Sequence, residues 1–93
     1  MIKHIVLWKL HDRKKAGLIR QTLEALPVRI PEIHKLEVGT GMPAGEFTAD
    51  VALYSEFKSE ADLKTYIAHP AHQEAVAVIV PLVSDRRVAD YSL

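Results

Sequence analysis

The first strand of this chain carries large apolar side chains toward both faces of any sheet that it joins. Residues 2–10 are rich in β-branched and aromatic types, and a strand points successive side chains in opposite directions. One set comprises Ile2, His4, Val6, Trp8 and Leu10, and the other comprises Lys3, Ile5, Leu7 and Lys9. Both faces of this strand are therefore predicted to be covered, although the sequence leaves open which face receives Trp8.

One helix and two further strands are predicted from the residues that follow. Asp12 can cap a helix, and Pro27 and Pro31 end it. A spacing of 3.6 residues gives this helix an apolar face of Leu18, Ile19, Leu23 and Leu26. Residues 34–40 alternate like a strand with one buried face, and residues 50–57 alternate in the same way. The glycine-containing segment 39–45 is predicted to be a hairpin connection rather than a phosphate-binding loop.

A proline divides the second helical segment in two. Ser59 begins this segment as part of a capping box. Pro70 suits the first turn of a helix but not its interior, so it ends one helix and begins the next, with His69 at the N-cap position. Pro81 ends the second helix, whose inner face carries His72, Ala75, Val76 and Ile79. The last strand is predicted at residues 87–93.

The resulting order is βαββαβ with a broken second helix, which is typical of a ferredoxin-like α+β fold. Such a fold lays its helices on one face of a four-stranded antiparallel sheet, and we predict a single domain over residues 1–93. The other sheet face would leave apolar residues of the first strand in water, which is unfavourable by about 25 cal/mol per Å². We therefore predict a homodimer with twofold symmetry, in which two sheets pack face to face as a dimeric α/β barrel.

Charge and composition argue against several classes of partner. Twelve basic residues balance twelve acidic ones, so there is no net field to hold nucleic acid or an anionic membrane. The chain has no cysteine, which excludes disulfides, thiol nucleophiles and thiolate metal sites. The N-terminal apolar run is interrupted by His4 and Lys9, unlike a signal sequence. We predict a cytoplasmic protein that binds neither nucleic acid nor membranes.

The segment Tyr66–His72 carries residue types suited to acid and base chemistry. His72 falls in the first turn after Pro70, where the helix dipole favours neutral imidazole, a base near pH 7. Tyr66 offers a phenol that can polarise a carbonyl, so the pair suits enolate chemistry. The alternative interpretation is structural, with Tyr66 as a core aromatic, His72 as an exposed surface residue and His69 as a cap alone.

Four stretches of the sequence are shared with one protein family: Ile2–Trp8, Ser55–Phe57, Tyr66–His72 and Val88–Tyr91. Over nearly its whole length the chain resembles the stress-responsive A/B barrel domain proteins, also called Dabb proteins. The resemblance implies a dimeric α/β barrel of ferredoxin-like units. Many bacterial members of that family have no established activity, a plant stress-protein branch forms large stable assemblies, and another plant branch is a polyketide cyclase.

The polyketide cyclase branch implies roles for individual residues. A tyrosine and a histidine on its broken helix act on a linear polyketide between sheet and helices, and Tyr66 and His72 match these positions. His4 matches a first-strand histidine of the same site. A histidine on the third strand has no match, because Asp50 and Val51 stand in that region. The support around the catalytic pair therefore differs from that of the cyclase.

Two functions are favoured by these features. The first is an enzyme or ligand-binding homodimer that acts without a cofactor on a small carbonyl-containing or aromatic molecule, with His72 as general base and Tyr66 holding the carbonyl. Its semi-apolar pocket is predicted to be lined by His4, Trp8, Leu23, Tyr66, His72 and Ile79. The second is a non-catalytic, stress-associated structural dimer in which the same residues only cap and pack.

Two other functions have weaker support. His69 and His72 stand three residues apart and could hold a metal, but the helix break separates them and we predict no metal site. Trp8 and fold analogy suggest a cofactor-free monooxygenase or a haem-degrading enzyme, and fold analogy is weak evidence for chemistry. Arg86 and Arg87 are interpreted as solvated residues, with attraction of a ligand carboxylate as the alternative.

Overall fold

The chain folds as a four-stranded antiparallel sheet with α-helices packed on one face. The computed structural model describes residues 1–42 and 45–93, so Pro43 and Ala44 of the predicted hairpin connection lie outside the described residues. The strands and helices are β1 (Ile2–Leu10), α1 (Ala16–Glu24), β2 (Lys35–Thr40), β3 (Val51–Phe57), α2 (Glu60–Ala68), α3 (Pro70–Ile79) and β4 (Val83–Ser92). The spatial order of the strands is β2-β3-β1-β4. The predicted ferredoxin-like α+β fold is confirmed.

The central strand β1 has one face under the helices and one face away from them. Trp8 is only 5% exposed and lies under the helices, whereas Leu7 is 41% exposed on the opposite side. Pairing of β1 with β3 and β4 extends this alternation across the sheet. We call the side of Trp8 the covered face and the side of Leu7 the open face. The structure thus assigns Trp8 to the covered face, which the sequence left undecided.

Helix α1 buries a narrower face than its sequence pattern predicts. Ile19 and Leu23 are buried against the sheet, and Leu26 is buried just beyond the helix end. Leu18 was expected on the same face but is 44% exposed, because it lies about 100° around the helix from Ile19 and points past the sheet. Asp12 accepts a hydrogen bond from the Lys14 N–H, but it caps a short 3₁₀ turn that precedes α1.

The predicted helix break at Pro70 is confirmed. Ser59 Oγ accepts a hydrogen bond of 3.1 Å from the Asp62 N–H at the start of α2. His69 has extended backbone angles between α2 and α3, and its Nδ1 accepts a hydrogen bond of 3.0 Å from the Ala71 N–H. The direction of the chain therefore changes at this cap, which sets where the next turn presents its side chains.

Strand β4 begins four residues earlier than predicted. It starts at Val83 rather than at residue 87, and it pairs with β1 as far as Leu10, with a register shift between Lys9 and Leu10. Because the edge of β1 that faces away from β3 offers backbone hydrogen bonds along its whole length, pairing with β4 continues through this irregularity.

In the described part of the chain, no helix is long and apolar enough to cross a membrane.

Candidate functional site

A cavity of about 260 Å³ lies between the covered face of the sheet and the helices. The structure brings all six of the predicted pocket residues around it: His4, Trp8, Leu23, Tyr66, His72 and Ile79. The other lining residues are Val6, Leu53, Ala75, Val76, Val80 and Arg86. The space between sheet and helices is therefore not filled by core side chains, and its mostly apolar wall carries a few polar groups, as small-molecule sites do.

The phenol of Tyr66 lies deep in this site next to the imidazole of His72. Their ring centroids are 4.5 Å apart, with an angle of 55° between the ring planes. Burial raises the pKa of Tyr66 to about 12, with Arg86 opposing the shift, so the hydroxyl keeps its proton at neutral pH. Among the described residues none hydrogen-bonds to this hydroxyl, and no side-chain nitrogen or oxygen there is both buried and unpaired, so the hydroxyl is open to the cavity. Tyr66 can therefore donate a hydrogen bond to a ligand oxygen in the cavity.

The helix break fixes the orientation of the His72 ring. The Ala71 N–H, which would otherwise bond to the carbonyl of Ile67 four residues earlier, donates to His69 Nδ1 instead. The Ile67 carbonyl is left to accept from side chains, and His72 Nδ1 lies 3.0 Å from it. A carbonyl oxygen only accepts, so Nδ1 carries the proton and Nε2 keeps a lone pair. Nε2 can therefore act as a base.

The surroundings of His72 favour the neutral imidazole. Burial is the main cause that lowers the pKa of His72, the hydrogen bond to the Ile67 carbonyl opposes this effect, and His4 and Arg86 add to it. The expected neutral ring is thus supported mainly by burial rather than by its place in the first helical turn. A ring that stays neutral below pH 7 is available to take up a proton.

His4 is the third polar aromatic residue of the cavity. Its side chain is almost fully buried, with its ring centroid 5.9 Å from that of Tyr66. Its Nδ1 contacts the carboxylate of Asp90, the residue opposite His4 in the pairing of β1 with β4. A carboxylate oxygen accepts, so the ring donates to Asp90 through Nδ1. Sequence reasoning missed Asp90, and the signal that could have found it is this cross-strand register.

Arg86 is a second residue that was not among the predicted pocket residues but lines the cavity. It pairs with Trp8 across β1 and β4, so its side chain starts from the covered face and lines the cavity. Arg87 starts from the open face and lies 3.1 Å from Asp85. Both arginines are exposed, as the sequence interpretation expected, and Arg86 in addition lines the cavity.

The two histidines considered as metal ligands have different structural roles. His69 Nδ1 accepts from the Ala71 N–H, and His72 Nδ1 donates to the Ile67 carbonyl. Among the residues that the structure describes, no group of three or more histidines and carboxylates is placed to hold a metal ion. Either histidine would have to give up its present hydrogen bond for its Nδ1 to bind a metal.

Comparison with known proteins gives matches over nearly the whole chain. Residues 2–93 match the family model described as Stress responsive A/B Barrel Domain. An uncharacterized protein of Streptomyces coelicolor is 33% identical, and the match covers 84% of this chain and 86% of that protein. The family match therefore includes every residue that lines the cavity as well as the strands of the sheet.

Two solved structures have the same fold. A dimeric protein of unknown function with a ferredoxin-like fold, from Bacteroides fragilis, is 39% identical with a TM-score of 0.88 over 99% of this chain and 95% of that chain. The hydroxynitrile lyase of Passiflora edulis is 21% identical with a TM-score of 0.85, over 99% of this chain and 92% of that chain. At this low identity, the second likeness concerns the fold alone.

Proposed function

The chain belongs to the stress responsive A/B barrel domain family, and from this premise we propose that it is a homodimer that performs cofactor-free proton transfer on a small carbonyl-containing or aromatic molecule. The observation that carries the proposal is the pairing of the Tyr66 phenol and the His72 imidazole, 4.5 Å apart, in one largely apolar cavity. One group holds its proton and the other is available to accept one, as acid and base chemistry requires.

The proposed reaction begins with the ligand carbonyl oxygen accepting a hydrogen bond from the Tyr66 hydroxyl. His72 Nε2 then takes a proton from the carbon beside the carbonyl, so that the C–H bond breaks and an N–H bond forms. The electron pair of the broken bond moves to the carbonyl oxygen as an enolate, which the Tyr66 hydrogen bond stabilises. The enolate can regain the proton from His72 or attack a second carbonyl of the same molecule.

The remaining predicted residues are given binding roles. His4 is held by Asp90 near Tyr66, and we assign it to positioning the ligand through its Nε2. The apolar wall of the cavity includes Trp8, Leu23 and Ile79. This wall favours a ligand with an aromatic or alkyl group and excludes water from the reacting atoms. A largely apolar site of this kind strengthens the hydrogen bond to the enolate oxygen.

The homodimer is proposed from the open face of the sheet. Leu7 and Tyr91 are each exposed there by more than two fifths of their surface, in a chain too small to leave such residues in water without a loss of stability. The Bacteroides fragilis protein, at 39% identity, is described as dimeric. Face-to-face packing of two open faces would cover both residues. The cytoplasmic location of the protein stays a prediction.

The proposed chemistry can be tested by deuterium exchange. Wild-type protein is incubated in D₂O with a panel of charged and neutral aryl methyl ketones, and proton NMR follows loss of the methyl signal. We expect the wild type to exchange the methyl protons faster than buffer alone. The exchange rate should fall about a hundredfold or more in His72→Gln, because the general base is lost, and about tenfold or more in Tyr66→Phe. The matched control is His11→Gln, which changes an exposed histidine outside the cavity and should exchange like wild type.

Two results would contradict the proposed chemistry. One is exchange no faster than in buffer for every ketone, and the other is equal exchange by wild type and His72→Gln. Either result, with dimers still formed, would favour the second candidate, a non-catalytic and stress-associated structural dimer. Thermal unfolding of each variant without ketone shows whether the variant is folded. Thermal unfolding with ketone shows whether the ketone binds, because a bound ligand raises the stability of the folded state by mass action.

A further inference from the structure

Two adjacent arginines of β4 lie on opposite faces of the sheet. Arg86 is opposite Trp8 and starts from the covered face, whereas Arg87 is opposite Leu7 and starts from the open face. Both side chains are exposed in the single chain, so exposure does not distinguish them. The two arginines differ in whether a neighbouring carboxylate pairs with the guanidinium.

Arg87 is neutralised on its own strand, but Arg86 is not. Arg87 Nη1 lies 3.1 Å from the Asp85 carboxylate. In the described parts of the chain, residues 1–42 and 45–93, the Arg86 guanidinium forms no ion pair or side-chain hydrogen bond, and only the backbone of Arg86 is engaged. The nearest acidic residue on the same side of β4, Asp90, contacts His4. Arg86 therefore brings an unneutralised positive charge to the cavity.

The other cavity-lining residues offer no negative charge. Among the described residues that line the cavity, Arg86 is the sole permanently charged one, and the others are apolar side chains, one phenol and two histidines. Arg86 also influences the reactive pair, since its charge acts to lower the pKa of both Tyr66 and His72. These effects place the guanidinium within electrostatic reach of the same space that the proposed ligand would occupy.

The charge and shape of this site favour a carboxylate over other anions. A guanidinium binds a carboxylate through two parallel hydrogen bonds, and one positive charge balances one negative charge. A phosphomonoester carries nearly two negative charges at pH 7, and one of them would remain uncompensated beside apolar wall. The cavity of about 260 Å³ is also small, which suits a compact molecule with both a carbonyl and a carboxylate.

We propose that Arg86 is the specificity residue of the cavity and that it binds the carboxylate of a small keto acid, whose carbonyl lies at Tyr66 and His72. This inference rests on the proposed function, because it assigns the substrate class of the same site. Arg86 binds the ligand at a distance from the reacting carbon, so it sets which molecule binds rather than how the proton moves.

Paired probes of equal size and different charge test this assignment. The probes are 4-acetylbenzoate and 3-acetylbenzoate, each compared with its neutral carboxamide, and their dissociation constants are measured by calorimetry for the wild type and two variants. We expect the wild type to bind the better carboxylate about tenfold or more tightly than its amide, as a charge-assisted bidentate contact allows. Arg86→Gln should lose this preference, and Arg87→Gln should keep it because Arg87 faces away from the cavity.

Three results would overturn the inference: equal binding of acid and amide by the wild type, an equal loss of preference in both arginine variants, and no binding of any probe by the wild type. Deuterium exchange of the bound probes separates this inference from the proposed function. A preference that depends on Arg86 without exchange that depends on His72 supports the carboxylate site and contradicts proton transfer. Exchange that depends on His72 but is equal for acid and amide supports proton transfer and contradicts the role of Arg86.

Discussion

The open and covered faces of the sheet treat polar groups in opposite ways. On the open face, Lys3 Nζ donates to Tyr54 at 2.8 Å and to Glu56 at 2.9 Å, and these two bonds raise the pKa of Lys3. On the covered face, the Tyr66 hydroxyl and the Arg86 side chain line a cavity, and neither is paired with a neighbouring side chain within the described residues. Polar groups of the open face pair with one another, whereas two polar side chains of the covered face are available to a ligand in the cavity.

This difference indicates where a ligand belongs. A polar group that lines an apolar cavity can bind a ligand there without first breaking a hydrogen bond within the protein. On the covered face, Tyr66 and Arg86 line a cavity that a small molecule can enter. On the open face, paired charges surround apolar residues such as Leu7, which suits the packing of a second protein surface. The two faces therefore suit two different partners.

The largest effect should come from the core behind the cavity. Phe57 is fully buried on the covered face, with its ring centroid 4.9 Å from that of Tyr66. Phe57→Ala should lower the free energy of unfolding by about 3–5 kcal/mol, because it removes packing and leaves a void. The measurement is urea unfolding at one fixed protein concentration. The control on the open face, Tyr91→Ala, should lower it by less, since Tyr91 is 42% exposed in the single chain and only the partner chain of the proposed dimer covers the rest of it. Equal losses would contradict the distinction between the faces.

A charge on the open face should have the next largest effect, on assembly rather than on folding. Leu7→Lys places a second positive charge opposite Arg87 in the sheet, and twofold symmetry introduces it twice into the proposed interface. The dissociation constant of the dimer should rise about a hundredfold or more, as measured by analytical ultracentrifugation.

The control for this substitution is Leu18→Lys on α1. Leu18 is 44% exposed and Leu7 is 41% exposed, so both changes add the same charge at similarly exposed leucines. We expect Leu18→Lys to dimerise like wild type. If both variants dissociate equally, or if neither does, the open face is not the dimer interface.

The smallest effect on stability should come from the titration of His72. Burial lowers the pKa of His72 in the folded chain below its ordinary value of 6.5, so the unfolded chain binds the proton first as pH falls. The free energy of unfolding should therefore hold above pH 6.5 and decrease as the pH falls from there through the folded pKa. Urea unfolding at a series of pH values should show a shallower decrease in His72→Gln. The same slope in His72→Gln and wild type would contradict this assignment, and the exposed His11→Gln serves as the reference.

Much of the fold was predictable from local patterns. Alternation in residues 2–10, the Ser59 cap and the break at Pro70 are each decided by a few neighbouring residues, and all three are confirmed. The start of β4 at Val83 was not predictable, because its first residues are ordered by pairing with β1 rather than by their own pattern. Leu18 was misplaced for a related reason, since helical periodicity does not show how wide a face the sheet can cover.

The candidate site was predictable in part. Tyr66 and His72 are only six positions apart, and the helix break at Pro70 lies between them, so their proximity could be expected from the sequence. Asp90 and Arg86 come from the other end of the chain, and their places depend on the register of β1 with β4. A shift of that register by one residue would turn both side chains to the open face and bring Arg87 to the cavity instead.

By itself the sequence determined the order of strands and helices, the broken helix and the small set of residues able to perform acid and base chemistry. These depend on local backbone preferences, which act over a few residues. Only the tertiary structure decided that Trp8 faces the helices, that Asp90 meets His4, and that Arg86 rather than Arg87 lines the cavity. The physical reason is strand pairing, since hydrogen bonds between distant segments fix which side chains share a face.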